Sequence, residues 1–214
     1  MTVFATLRNF TNVICIGALL AWAVPTAANN TDTPHGDRQG TQSASAEQRG
    51  ERLLAQAPSG WRQGFATKTA KLRIAEFFPD HNANNEWVEK VTFESLGGNL
   101  LPDPIEFVMG IGADQAATCE RFEHLNISSG LENNYPTSVR LLTCIQHKIT
   151  QKAQVTLIKA IQANDYFYVI TRARIVPPVA QGASVISETE IATWAAYMRS
   201  ITVCDSQRDE HPCP

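Results

Sequence analysis

The last fifteen residues, S-I-T-V-C-D-S-Q-R-D-E-H-P-C-P from Ser200 to Pro214, gather Cys204, Asp205, Asp209, His211 and Cys213, groups suited to metal ligation, redox cycling or a covalent staple. Zinc sites present close ligand pairs such as C-x-x-C or H-x-x-x-H. Here one His stands two residues before one Cys, with no second close pair. A redox-active pair takes C-x-x-C spacing at a helix N-terminus, whereas eight residues lie between Cys204 and Cys213. The remaining reading is a polar loop, D-S-Q-R-D-E-H-P, stapled closed, with Asp205, Asp209 and His211 as loop residues and no metal.

A second set is basic. Arg172 and Arg174 are two residues apart in a β-rich run and so share a strand face. With Lys159 on the preceding run they form a candidate patch for an anionic ligand or partner, set against the ordinary alternative of charges on a solvated sheet face. His147, near the end of another β-rich run, joins them as a candidate ligand-binding residue. Paired carboxylates at Glu86 and Glu89, or at Glu188 and Glu190, have the types needed for acid and base work. Glu188 and Glu190, however, fall in the first turn of an expected helix, where negative charge complements the dipole, and Glu89 reads as a cross-strand partner. S-S-G at Ser128 to Gly130 and G-A-S at Gly182 to Ser184 do not make a nucleophile elbow. There is no G-x-G-x-x-G, P-loop or H-E-x-x-H. No catalytic residue and no cofactor is assigned.

The compartment decides between these chemistries. The N-terminus carries one positive charge at Arg8, then an apolar run from Val13 to Val24, then P-T-A-A-N-N with small residues at Thr26 and Ala28. That is the pattern of a secretory signal cut after Ala28; the alternative is an uncleaved N-terminal anchor. The run is shorter than the roughly 20 residues needed to span a bilayer, so no transmembrane segment is expected after cleavage. Cys15 follows Ile14 inside the run, which is not the place of a lipid-modified cysteine. Cys119, Cys144, Cys204 and Cys213 remain, an even number in an exported chain, which favours two disulfides. Of three connectivities, the shorter loops favour Cys119 with Cys144 and Cys204 with Cys213. The net charge of −3, with no long basic run, gives nucleic-acid binding no support.

Positioning these residues requires a core. Residues 29–50 hold no aliphatic side chain larger than Ala and no aromatic, too little apolar surface to offset ordering. The expected organisation is a signal peptide over 1–28, a disordered linker over 29–52, one domain over 53–205 and a stapled tail over 206–214. Strand character runs from Lys71 to Phe78, from Glu86 to Glu94 and from Ser138 to Lys148. A helix broken near Gly110 and Gly112 is expected after Asp103, then a polar loop through N-I-S-S-G and L-E-N-N-Y-P. A-Q-V-T-L-I-K-A-I-Q-A-N-D-Y-F-Y-V-I-T-R-A-R-I predicts an antiparallel hairpin turning at Asn164 and Asp165. Ser187 and Glu190 predict a capping box, followed by an amphipathic stripe of Ile191, Trp194, Ala195, Met198 and Ile201. Consecutive strands joined by short turns make the class α+β, a mainly antiparallel sheet with helices packed on it.

From Val155 to Val203, a hairpin carrying Y-F-Y-V-I-T and a helix ending in M-R-S-I-T-V, the chain resembles the Mog1/PsbP-like family. W-R-Q-G-F and W-V-E-K-V-T-F-E are also similar to segments of small exported bacterial proteins without assigned activity. The resemblance implies a small α/β/α sandwich. The expected function is an exported, non-catalytic binding or accessory protein of the bacterial cell envelope, periplasmic or extracellular, with an envelope protein or small ligand as partner. The alternative is a secreted or periplasmic hydrolase with its site in the sheet-helix cleft near His147 or His124.

Overall fold

The computed structural model describes residues 50–81, 87–98, 101–180 and 182–214. Glu86, and residues 1–49 on which the signal and most of the linker expectation rest, lie outside the described residues. In chain order the elements are β1 (Glu51–Leu54), β2 (Trp61–Lys68), β3 (Leu72–Pro79), β4 (Glu89–Gly97), α1 (Pro104–Thr118), β5 (Cys119–Glu132), β6 (Tyr135–His147), β7 (Ala153–Gln162), β8 (Tyr166–Val176), α2 (Glu188–Arg199) and β9 (Thr202–Asp205). Seven strands form one antiparallel sheet in the order β2-β3-β4-β8-β7-β6-β5. β1 and β9 pair antiparallel as a separate ribbon. The class is α+β.

Strands β6, β7 and β8 are apolar at successive positions because both of their faces are covered. Leu141, Leu157 and Ile170 join Trp194, Met198 and Ile201 of the α2 layer. Their chain neighbours Leu142, Ile158 and Val169 point the other way and join Val108 of α1. A strand alternates its side chains between faces, so the helices lie on opposite sides of the sheet. Ser187 caps α2 in a capping box with Glu190. Asp103 caps α1, its carboxylate accepting from the N–H groups of Ile105 at 2.8 Å and Glu106 at 3.0 Å.

Three elements differ from the sequence expectation. α1 runs unbroken through Gly110 and Gly112. Gly112 is buried, and a Cβ there would stand 3.5 Å from Leu142 and 3.9 Å from Phe122. Both are ordinary contact distances, and it is the burial of this face of α1 on the sheet, with Val108 fully enclosed, that outweighs the roughly 1 kcal/mol propensity cost of a glycine. The polar stretch after α1 is the edge strand β5, with register shifts near Arg121 and between Asn126 and Ser128. Its polarity reflects exposure, and bulges on an exposed edge discourage pairing with other chains. It turns into β6 through Asn133 and Asn134, both left-handed at φ 49° and 63°, the two-residue hairpin geometry that asparagine tolerates. Finally, β2 forms the other edge, over a stretch to which the sequence assigned no strand.

Disulfides join Cys119 to Cys144 across β5 and β6, and Cys204 to Cys213. Two such bonds suit a chain exported to an oxidising compartment. The tail is also less loop-like than its polarity suggests. Asp205 and His211 are buried. The side-chain amide of Asn133 donates to the carbonyls of Val203 at 2.9 Å and Pro212 at 3.2 Å, and that of Asn134 to Glu210 at 2.7 Å. Replacing Cys119 and Cys144 together by Ser should cost about 3 kcal/mol, from the loop-closure entropy returned to the unfolded chain. Denaturant unfolding of the oxidised parent and the double variant measures this.

Candidate functional site

The basic residues do not form a free patch. Lys159 is fully buried on β7. Its Nζ donates to the carbonyls of Met198 at 2.9 Å and Ile201 at 2.7 Å and pairs with Glu132. It closes the C-terminal end of α2, where orphan carbonyls and the dipole favour a cation. Burial pulls its pKa below the usual lysine range, while the Glu132 carboxylate opposes that shift. Arg172 is bound by Glu89 at 2.9 Å through Nε and 2.8 Å through Nη2. Its guanidinium lies 4.7 Å from the Trp194 ring centroid, 5.6 Å from Trp61 and 5.7 Å from Tyr197. Arg174 pairs with Glu190 at 2.6 Å and lies 5.6 Å from Trp194. The three do share one sheet face, but α2 covers it. Aromatic faces and carboxylates there offset the desolvation that a buried cation otherwise suffers.

His147 serves a turn. Its Nδ1 accepts from the backbone N–H groups of Ile149 at 3.2 Å and Thr150 at 3.3 Å, fixing the β6–β7 connection. His124 stands exposed on the edge strand, its ring 6.2 Å from Phe122. Among the described residues, no hydrogen bond or ion pair joins either ring to a nucleophile or a carboxylate. The Glu188 and Glu190 pair sits in the first turn of α2, where Glu190 completes the capping box.

What the structure does assemble is a depression of about 1110 Å³ at one end of the sheet. Antiparallel pairing places the β5–β6 and β7–β8 turns at this end, together with the start of β3, the end of β4 and the folded-back tail. One wall is Tyr135 stacked on His211, with ring centroids 3.8 Å apart and planes 10° from parallel. His211 is oriented by a 2.9 Å hydrogen bond between Nδ1 and the Asn133 carbonyl. The amide of Asn164 donates to the Tyr135 hydroxyl at 3.4 Å, and that of Gln162 to the Leu101 carbonyl at 3.1 Å. Tyr166 packs over Gly97, where a Cβ would come within 3.1 Å of the ring.

The β7–β8 turn is held by a carboxylate from β1. Glu51 accepts from the backbone N–H groups of Asn164 at 2.6 Å, Asp165 at 3.0 Å and Tyr166 at 3.1 Å, and from the Tyr168 hydroxyl at 3.2 Å. This carboxylate ties β1 to the β7–β8 turn. Burial, reinforced by the charges of Glu51 and Asp205, pushes the Tyr135 phenol up to about 12. Burial and Glu51 raise Tyr168 as well. Both phenols keep their protons at neutral pH. Sequence reading missed this constellation. Its legible traces were the N-N and N-D turn pairs and the disulfide that returns His211 to the domain.

No protein-family model matches the chain, and no curated protein matches it. Among solved structures it is similar to LpqN, described as involved in cell envelope biogenesis of Mycobacterium tuberculosis, at 9% identity and a TM-score of 0.43, covering 74% of this chain and 87% of that one.

Two outcomes follow from the ion pairs. Lys159→Ala leaves Glu132 without its partner and removes the lysine bonds to the Met198 and Ile201 carbonyls, and should cost about 3 kcal/mol in chemical denaturation. Glu190 is held down at about 2, first by Arg174 and then by the Ser187 backbone N–H. A depressed carboxyl stabilises the fold fully above its unfolded value of 4.5 and loses that contribution as pH falls toward 2. Thermal unfolding between pH 5 and 2 should accordingly fall less steeply for Glu190→Gln than for the parent.

Proposed function

We propose that this chain is an exported, non-catalytic binding or accessory protein of the bacterial cell envelope, periplasmic or extracellular, that holds its ligand in the depression at the hairpin end of the sheet. The observation that carries this reading is the division of labour among polar side chains. Lys159, Arg172, Arg174 and His147 are engaged in holding elements together, whereas side chains from three separate connections converge on one open concavity. Largely pre-formed concave surfaces with a few placed polar groups are where ligands bind. The Mog1/PsbP-like relationship belongs to the same reading, supported by a sheet sandwiched between one helix on each face. Among the described residues no helix is long and apolar enough to cross a membrane.

A photo-crosslinking residue placed at Lys71, on the rim of the depression, should capture a component of envelope extract that the same group at Lys148 does not. Equal capture from both positions would sink the assignment of the site. Turnover of ester, peptide, glycoside or phosphate substrates, lost on a single side-chain change, would replace it with an enzyme.

A further inference from the structure

We infer that the depression takes an uncharged, hydroxyl-rich ligand, a saccharide of several sugar units; this rests on the depression being the ligand site. The volume of about 1110 Å³ lies just above the range for small-molecule pockets, roughly 300–1,000 Å³, and the concavity is open, which suits an extended chain rather than an enclosed small molecule. Its lining is polar, with tyrosines and side-chain amides but few aliphatic side chains, which disfavours a lipid tail.

The donor and acceptor pattern narrows the choice. Asn134, Gln162 and Asn164 each engage the protein through the amide nitrogen, bonding the Glu210 carbonyl, the Leu101 carbonyl and the Tyr135 hydroxyl respectively. Their carbonyl oxygens remain as acceptors, and Asp165 adds a carboxylate. The donors include the Lys71 ammonium, the Tyr166 phenol and the second hydrogen of each side-chain amide. A hydroxyl both donates and accepts, so a sugar edge can satisfy this mixed set. An anion would meet Asp165 and the amide oxygens, and a cation would meet Lys71, each leaving like charge or unpaired groups at a cost. The walls are fixed before binding. Glu51 clamps the β7–β8 turn, and the Cys204–Cys213 bond keeps the tail that carries His211 folded against Tyr135. Such preorganisation limits the entropy lost when a flexible glycan is ordered.

The test is an amide NMR titration of the oxidised exported chain with chitotetraose, cellotetraose and maltotetraose up to millimolar concentration. At least one should give saturable shifts at Lys71, Asn134, Asn164, Asp165 and Tyr166. Lys71→Ala and Asp165→Asn, whose side chains are not needed for the Glu51 clamp, should each weaken binding about fivefold, the worth of one hydrogen bond. The spectrum should otherwise be retained, and Lys148→Ala should leave the affinity unchanged. Silence with all three saccharides overturns the inference. Shifts at these residues with spermidine or an acidic peptide instead overturn the ligand class while leaving the site. Saccharide shifts confined to the Arg172 and Trp194 region overturn the site as well.

Discussion

The buried ammonium of Lys159 is the interaction on which the rest of the architecture depends. It sits on the interior strand β7, fully removed from water, and reaches the carbonyls of Met198 in the last turn of α2 and of Ile201 just past it, and the Glu132 carboxylate at the end of β5. One charge thereby fixes where α2 ends, how that helix lies on the sheet, and where the β5–β6 turn begins. An unpaired buried charge is costly, so these three elements are coupled through one group. Just beyond Glu132, Asn133 and Asn134 bond the tail, and Tyr135 stacks on His211. The depression is thus built on a turn that the lysine anchors from below.

Charge is used in the same way across the α2 face. Glu89 breaks the apolar alternation of β4 because it is the carboxylate for Arg172, and Arg172 in turn lies among Trp61, Trp194 and Tyr197. Glu190 caps α2 and pairs with Arg174 at once. The helix is therefore seated by apolar contacts through Met198 and Ile201 and oriented by ion pairs along its length. Geometry of this kind selects one docking of α2, whereas a wholly apolar face would tolerate several.

The second constraint is covalent. A domain with a long polar edge strand and a chain end on its surface is prone to fray at both places. The two disulfides act there, one across β5 and β6 and one holding the tail. Glu51 does similar work without a covalent bond, tying β1 to the β7–β8 turn.

Sequence alone determined the features that depend on local periodicity and local chemistry. The hairpin from Ala153 to Val176, the capping box at Ser187 and Glu190, the apolar stripe of α2 and the α+β class were all legible, because side-chain alternation and cap geometry are written within a few residues. Arg172 and Arg174 were correctly placed on one face for the same reason. Only the tertiary structure decided what covers that face, and so turned a basic patch into a network of one buried and two half-buried cations, each paired with a carboxylate. It also showed the polar run of β5 to be an edge strand, since an exposed edge carries no hydrophobic signal, and α1 to be continuous through Gly110 and Gly112, because burial of its Val108 face on the sheet outweighs their low helix propensity. The depression belongs wholly to this second category. Its residues, from Lys71 to His211, lie far apart in the chain and meet only because antiparallel pairing stacks their turns at one end of the sheet, a long-range constraint that no local pattern encodes.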